Sequence, residues 1–105
     1  MKKTLIKLLL LTGTTLALLA DSQSLYKNCS GCHGESGETS ALKVSKVIVG
    51  QESNLTIKEL TAYKNGELNQ YGLGNIMKLQ LRTVSEDDIA ELAAYIEKMN
   101  PKASK

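Results

Sequence analysis

The chain has 105 residues, with 13 basic against 11 acidic side chains, two cysteines, one histidine, one proline and neither tryptophan nor phenylalanine. That length allows one small domain and no second, and the scarcity of large aromatic side chains leaves little to fill a core. Removing Lys2, Lys3 and Lys7 with the first 20 residues takes the basic count from 13 to 10 against 11 acidic residues, a net charge of −1. With no basic cluster and no interleaved aromatics, a nucleic-acid-binding surface is excluded; Lys43, Lys46, Lys64 and Lys78 are left as scattered lysines or a local positive rim.

That removal is expected from the layout of the amino terminus. Met1 to Lys7 is a short basic region, Leu8 to Ala20 is an apolar run broken only by Thr12, Gly13, Thr14 and Thr15, and polar sequence starts at Asp21. This is the order of a secretory signal peptide, and the run is short for a membrane span, which takes about 20 apolar residues. Cleavage is expected after Ala20. Leu18 occupies a position where a small residue is preferred, so cleavage after Ala17 and retention as an anchor are the alternatives. The mature chain, residues 21–105, is then an exported single domain with no stable membrane span.

Asp21 to Asn28 is expected to form a short helix, capped by Asp21 or Ser22, with Leu25 and Tyr26 facing inward. It delivers the chain to Cys29-Ser30-Gly31-Cys32-His33, a CxxCH pentapeptide. That spacing is the attachment signature of a c-type haem. Each thiol can form a thioether with one porphyrin vinyl group, and the adjacent imidazole can serve as the proximal iron ligand. Three other readings fit less well. A redox dithiol usually opens a helix in a βαβ unit, which is absent; a zinc site needs four ligands, and the chain has two cysteines and one histidine; a disulfide across two residues is strained and leaves His33 without a role.

Gly31, Gly34 and Gly37 with neighbouring serines mark a loop after the motif. Val44 to Val49 resembles a strand, but with nothing to pair with it reads as extended chain over one edge of the cofactor, ended by Gly50. A second helix is expected from about Asn54 to Lys64, with Thr56 and Glu59 as a capping box and Gly66 as its stop. Gly66, Gly72 and Gly74 with three asparagines mark a second loop leading to Met77. The last helix has Ser85 as cap with Asp88 three residues on, acidic residues in its first turn, a Val84–Ile89 staple, and Ile89, Leu92, Ala93 and Ile96 on one face. Asn100-Pro101 ends it.

A haem iron with one histidine leaves a sixth position, and methionine is the strong ligand available for it. Met1 lies in the signal region and Met99 continues the apolar stripe of the final helix, where methionine is ordinary packing. Met77, after a glycine-rich loop, is the expected distal ligand; its alternative is a core methionine. A covalently held haem also supplies apolar volume that the composition lacks, so the apo chain is expected to fold poorly.

A helix with a tyrosine three residues before the first cysteine, CxxCH, a glycine-rich loop, a middle helix, a second loop with methionine and an acidic-capped final helix together resemble the class I cytochromes c. The likeness is strongest to the short monohaem periplasmic type of bacteria and covers residues 21 to 105. It implies an all-α fold of three to four short helices around one haem c, with the terminal helices crossing so that Ser22, Leu25 and Tyr26 meet Leu92, Tyr95 and Ile96. It implies Cys29 and Cys32 as the covalent haem attachments and His33 and Met77 as the axial ligands of iron, with Gly50-Gln51 and Tyr63 near the haem edge. The function implied is one-electron transfer by a monomer in the periplasm, without catalysis of its own. A quinol-oxidising complex or dehydrogenase would be the donor, and a terminal oxidase or peroxidase the acceptor. An open-sided haem enzyme or sensor would want a distal donor, for which Arg82 is the sole arginine. Two departures from the family bear on the potential: no proline follows His33, and Met77 sits in Gly-Asn-Ile-Met rather than beside a proline.

Overall fold

A computed structural model describes residues 22–100. Among them the regular structure is entirely helical: α1 over residues 22–33, one tight turn at Ala41–Lys43, α2 (Ser53–Lys64), α3 (Gly74–Gln80) and α4 (Glu86–Glu97). The expected signal peptide, Asp21 and the residues from Pro101 onward lie outside the described part. No helix among the described residues is long and apolar enough to cross a membrane.

α1 does not stop at Asn28 but runs through the CxxCH pentapeptide to His33. Residues three and four apart share one face of a helix, so Cys29, Cys32 and His33 can line up only if the helix continues. Ser30 and Gly31 are poor helix formers, but packing overrides that weak preference. Tyr26, Leu92 and Ile96 form the buried cluster of the core, joining α1 to α4 as the crossing of terminal helices requires. The Tyr26 and Tyr95 rings lie 5.6 Å apart between centroids. Tyr26 Oη donates to the Gly34 carbonyl at 2.5 Å, tying α1 to the loop that leaves it; burial, first of all, holds this phenol well above its usual range.

The segment 44–49 forms no strand, and it is not extended throughout as expected: Val44, at φ −121° and ψ −26°, still belongs to the turn after Ala41–Lys43, and only residues 46–48 lie outside turns and bends. Its end is held instead by Ile48 and Val49 N–H groups donating to the Gly37 carbonyl (3.2 and 2.9 Å), and Gly50 N–H reaches the Ile96 carbonyl of α4 at 3.1 Å. These bonds dock the long loop over the core.

α2 starts one residue before the expected Asn54, and its cap is not the Thr56–Glu59 pair. The Glu52 carboxylate accepts from the N–H groups of Asn54 and Leu55 at 3.0 and 3.1 Å, which satisfies two orphan donors with a negative charge at the favourable helix end. Thr56 is buried within the first turn. At the other end Gly66 adopts φ +77°, and the bond from Glu67 N–H to the Ala62 carbonyl at 2.8 Å closes a Schellman motif.

α3 replaces part of the expected second loop, so Met77 sits in a helix rather than on flexible backbone. α4 forms as its local signals require. Ser85 Oγ accepts from Asp88 N–H at 3.1 Å, the Asp88 carboxylate accepts from Ser85 N–H at 3.3 Å, and Ile89, Leu92, Ala93 and Ile96 are buried. Its last helical residue is Glu97, ahead of the expected Asn100-Pro101 stop.

Candidate haem-binding cleft

α1, the 41–51 segment, α2, α3 and α4 enclose a mainly apolar cleft with two adjoining lobes of about 70 and 160 Å³. Ala41, Ile48, Leu60, Leu73 and Ile96 line both lobes, as do His33 and Met77. Cys29 and Cys32 line the larger one. The four residues singled out from the sequence therefore meet at one site, His33 and the cysteines from α1 and Met77 from α3. Met99 does not join them. It packs against the Tyr26–Leu92–Ile96 cluster, and a Cβ on Gly37 would come within 3.2 Å of its sulfur.

Both cysteines are free thiols. Burial, reinforced by the neighbouring Cys32, pushes the Cys29 thiol up to about 11. A redox dithiol needs the opposite, a thiolate stabilised by a lowered pKa. Among the described residues no group of three or more histidine, cysteine or acidic side chains is placed to hold a bare metal ion. The His33 imidazole is shifted down by burial, so it is kept neutral, which is the form that ligates a metal. Its Nδ1 is buried without a hydrogen-bond partner.

These features fit a flat apolar group carrying a metal. Five large side chains, Tyr26, Leu81, Ile89, Leu92 and Ile96, are buried among the described residues, whereas the cleft walls are apolar and partly open. Native proteins have stability of only about 0.05–0.15 kcal/mol per residue to draw on, and a group seated in the cleft would turn its walls into core. Leu42, in the tight turn that borders the larger lobe, is 61% exposed. It and Lys43 both adopt left-handed backbone, at φ 48° and 65°, which costs about 1–3 kcal/mol for each such residue.

The placement of Met77 rests on a close approach at the start of α3. Gly74 N–H donates to Asn69 Oδ1 at 2.7 Å. A Cβ at Gly74 would collide with the Leu68 carbonyl and come within 2.8 Å of Asn69 Oδ1. Gly74→Ala is therefore expected to displace α3 and to destabilise the protein by about 1–3 kcal/mol. Thermal unfolding checks the cost, and a changed visible spectrum of the holoprotein reports the shift of Met77.

Gln51 and Tyr63 line the smaller lobe, while Gly50 does not. Tyr71, Lys46 and Glu59 line it too and were not legible as site residues. Lys46 pairs with Glu59 at 2.7 Å and Lys64 Nζ donates to the Val84 carbonyl, so these two are not free members of a positive rim.

A helical shell around a cleft that gathers CxxCH and a methionine defines a c-type haem protein. The sequence matches the family described as Cytochrome c over residues 19–100. It is 32% identical over 89 residues to cytochrome c-553 of Nitratidesulfovibrio vulgaris, covering 83% of this chain and 84% of the relative. It is 31% identical over 96 residues to cytochrome c-553 of Helicobacter pylori strain J99, covering 91% and 96%. A weaker likeness, 30% over 69 residues, reaches cytochrome c4 of Azotobacter vinelandii but spans only 33% of that protein. The chain belongs to the cytochrome c family: it is an electron carrier with covalently attached haem c and iron, and not an enzyme.

Proposed function

We propose that the protein is a monomeric one-electron carrier of the periplasm, exported by residues 1–20, with residues 21–105 as the mature domain. Cys29 and Cys32 would hold the haem as thioethers, and His33 and Met77 would ligate its iron. The observation that carries this assignment is the convergence of both cysteines, the sole histidine and Met77 on one cleft while Met99 packs elsewhere. When bound, the haem supplies a one-electron iron couple whose potential methionine ligation and apolar burial raise.

The chain supplies the rest. α1 presents two thiols and an imidazole from one face, burial keeps that imidazole neutral, and α3 brings a soft thioether to the same cleft. The mainly apolar walls would give the bound group a surrounding of low polarity. Electrons pass between redox protein partners, with a quinol-oxidising complex or dehydrogenase as donor and a terminal oxidase or peroxidase as acceptor.

The test is a pair of substitutions. A thioether on ferric iron gives a weak absorption band near the red end of the visible spectrum and blocks small ligands. Met77→Ala is expected to abolish the band, lower the potential and admit carbon monoxide, whereas Met99→Ala changes stability alone. The reverse pattern reassigns the ligand. An unmodified protein that lacks the band and binds carbon monoxide readily is a sensor or enzyme rather than a carrier.

A further inference from the structure

Lys46 and Glu59 are the only lysine, arginine or acidic side chains that line the cleft among the described residues. One comes from the 44–49 segment and the other from α2. Lys46 Nζ lies 2.7 Å from Glu59 Oε1 and 2.8 Å from Oε2. Gln51 Nε2 donates to Oε1 at 2.8 Å and to Thr56 Oγ1 at 2.9 Å, and Gln70 Nε2 donates to Oε2 at 3.2 Å. Each carboxylate oxygen thus has two donors, and a carboxylate accepts about four.

An ion pair in open water contributes little. This one is different in place, since the Glu59 side chain is 16% exposed and that of Lys46 34%, and both border an apolar cleft. A charge facing such a medium is screened far less than one in water. Clamped by four hydrogen bonds from three side chains, Lys46, Gln51 and Gln70, the carboxylate keeps a fixed position relative to the cleft.

We propose that Lys46 and Glu59 are an opposed charge pair whose fields each bear on the reduction potential of the cofactor and offset one another; the inference rests on the reading of the cleft as the haem site. Oxidation sends one electron to the partner protein and leaves one more positive charge in the cleft. Glu59 favours that charge and Lys46 opposes it, so the intact pair largely cancels. Removing either member uncovers the field of the other.

The experiment is an optical redox titration of the holoprotein and four variants. Glu59→Gln keeps the shape and one of the two acceptor oxygens, and is expected to raise the midpoint. Lys46→Met is expected to lower it. Each shift corresponds to about a tenfold change in the electron-exchange equilibrium, or about 59 mV for one electron. The double variant returns close to the unmodified value, and Lys46→Arg, which keeps the charge, stays there. Loosened packing would move both single variants in the same direction. Equal shifts of one sign, or no shifts, overturn the proposal. If Glu59→Gln does not fold, Lys46→Met decides alone, and a rise or no change counts against the pair. The axial-ligand band is read in the same samples: its presence with unmoved potentials refutes the charge pair and leaves the carrier assignment intact, whereas its absence from the unmodified protein refutes that assignment.

Discussion

Mature protein expressed in cells competent for cytochrome maturation is expected to carry the mass of one haem after full denaturation, and a double Cys29→Ala, Cys32→Ala variant to carry none. The expectation rests on two free thiols three residues apart on α1, both lining the cleft. Each single replacement leaves one attachment point, so the fraction of chain holding haem through denaturation falls. The effect reaches beyond attachment. With five large side chains buried among the described residues, the chain without its cofactor leaves apolar cleft walls facing water, each square ångström of which costs about 25 cal/mol. Far-ultraviolet circular dichroism of the double variant is therefore expected to show a large loss of helix. Unmodified protein with no haem mass, or a double variant as helical as the unmodified protein, counts against the cleft as a covalent haem site.

What the sequence discloses here follows the range of the interactions involved. α4 is legible because its signals are local: the Ser85–Asp88 box sits within one turn, and the stripe from Ile89 to Ile96 has helical period. CxxCH is legible as chemistry, since two cysteines and a histidine in one spacing name the cofactor. The helix that carries it is not, because Ser30 and Gly31 argue against a helix locally while the burial of Tyr26 against Leu92 and Ile96 decides for one. α3 is hidden in the same way. Its first residue is Gly74, flanked by asparagines and glycines that read as loop, and the start is fixed by the Asn69 side chain five residues earlier. Capping of α2 by Glu52 rather than Thr56 shows how two nearby acceptors compete, with the charged one taking the exposed N–H groups. The Lys46–Glu59 pair has no local pattern at all. Its partners lie 13 residues apart, and the Gln70 contact spans 11.

Leu92→Ala is expected to cost about 2–5 kcal/mol, the range for truncating a buried leucine. Leu92 is 1% exposed and belongs to the cluster with Tyr26 and Ile96, so little room exists for the neighbours to collapse into the space left. For a domain of roughly 100 residues each kcal/mol moves the unfolding midpoint by about 4–8 °C, which sets a drop of at least about 8 °C in the holoprotein. Leu79 on α3 provides the control. It is 58% exposed, and its replacement by alanine is expected to stay within about 0.5 kcal/mol. Leu92 also lines the larger lobe, which couples the two halves of the molecule: the same side chain seals the α1–α4 crossing and one wall of the cleft. The variant is therefore expected to weaken the red-end band of the ferric spectrum at temperatures below its own midpoint, as the cleft loosens before the fold is lost. A midpoint unchanged from the unmodified protein would place the stabilising contacts between the terminal helices elsewhere than at Tyr26, Leu92 and Ile96.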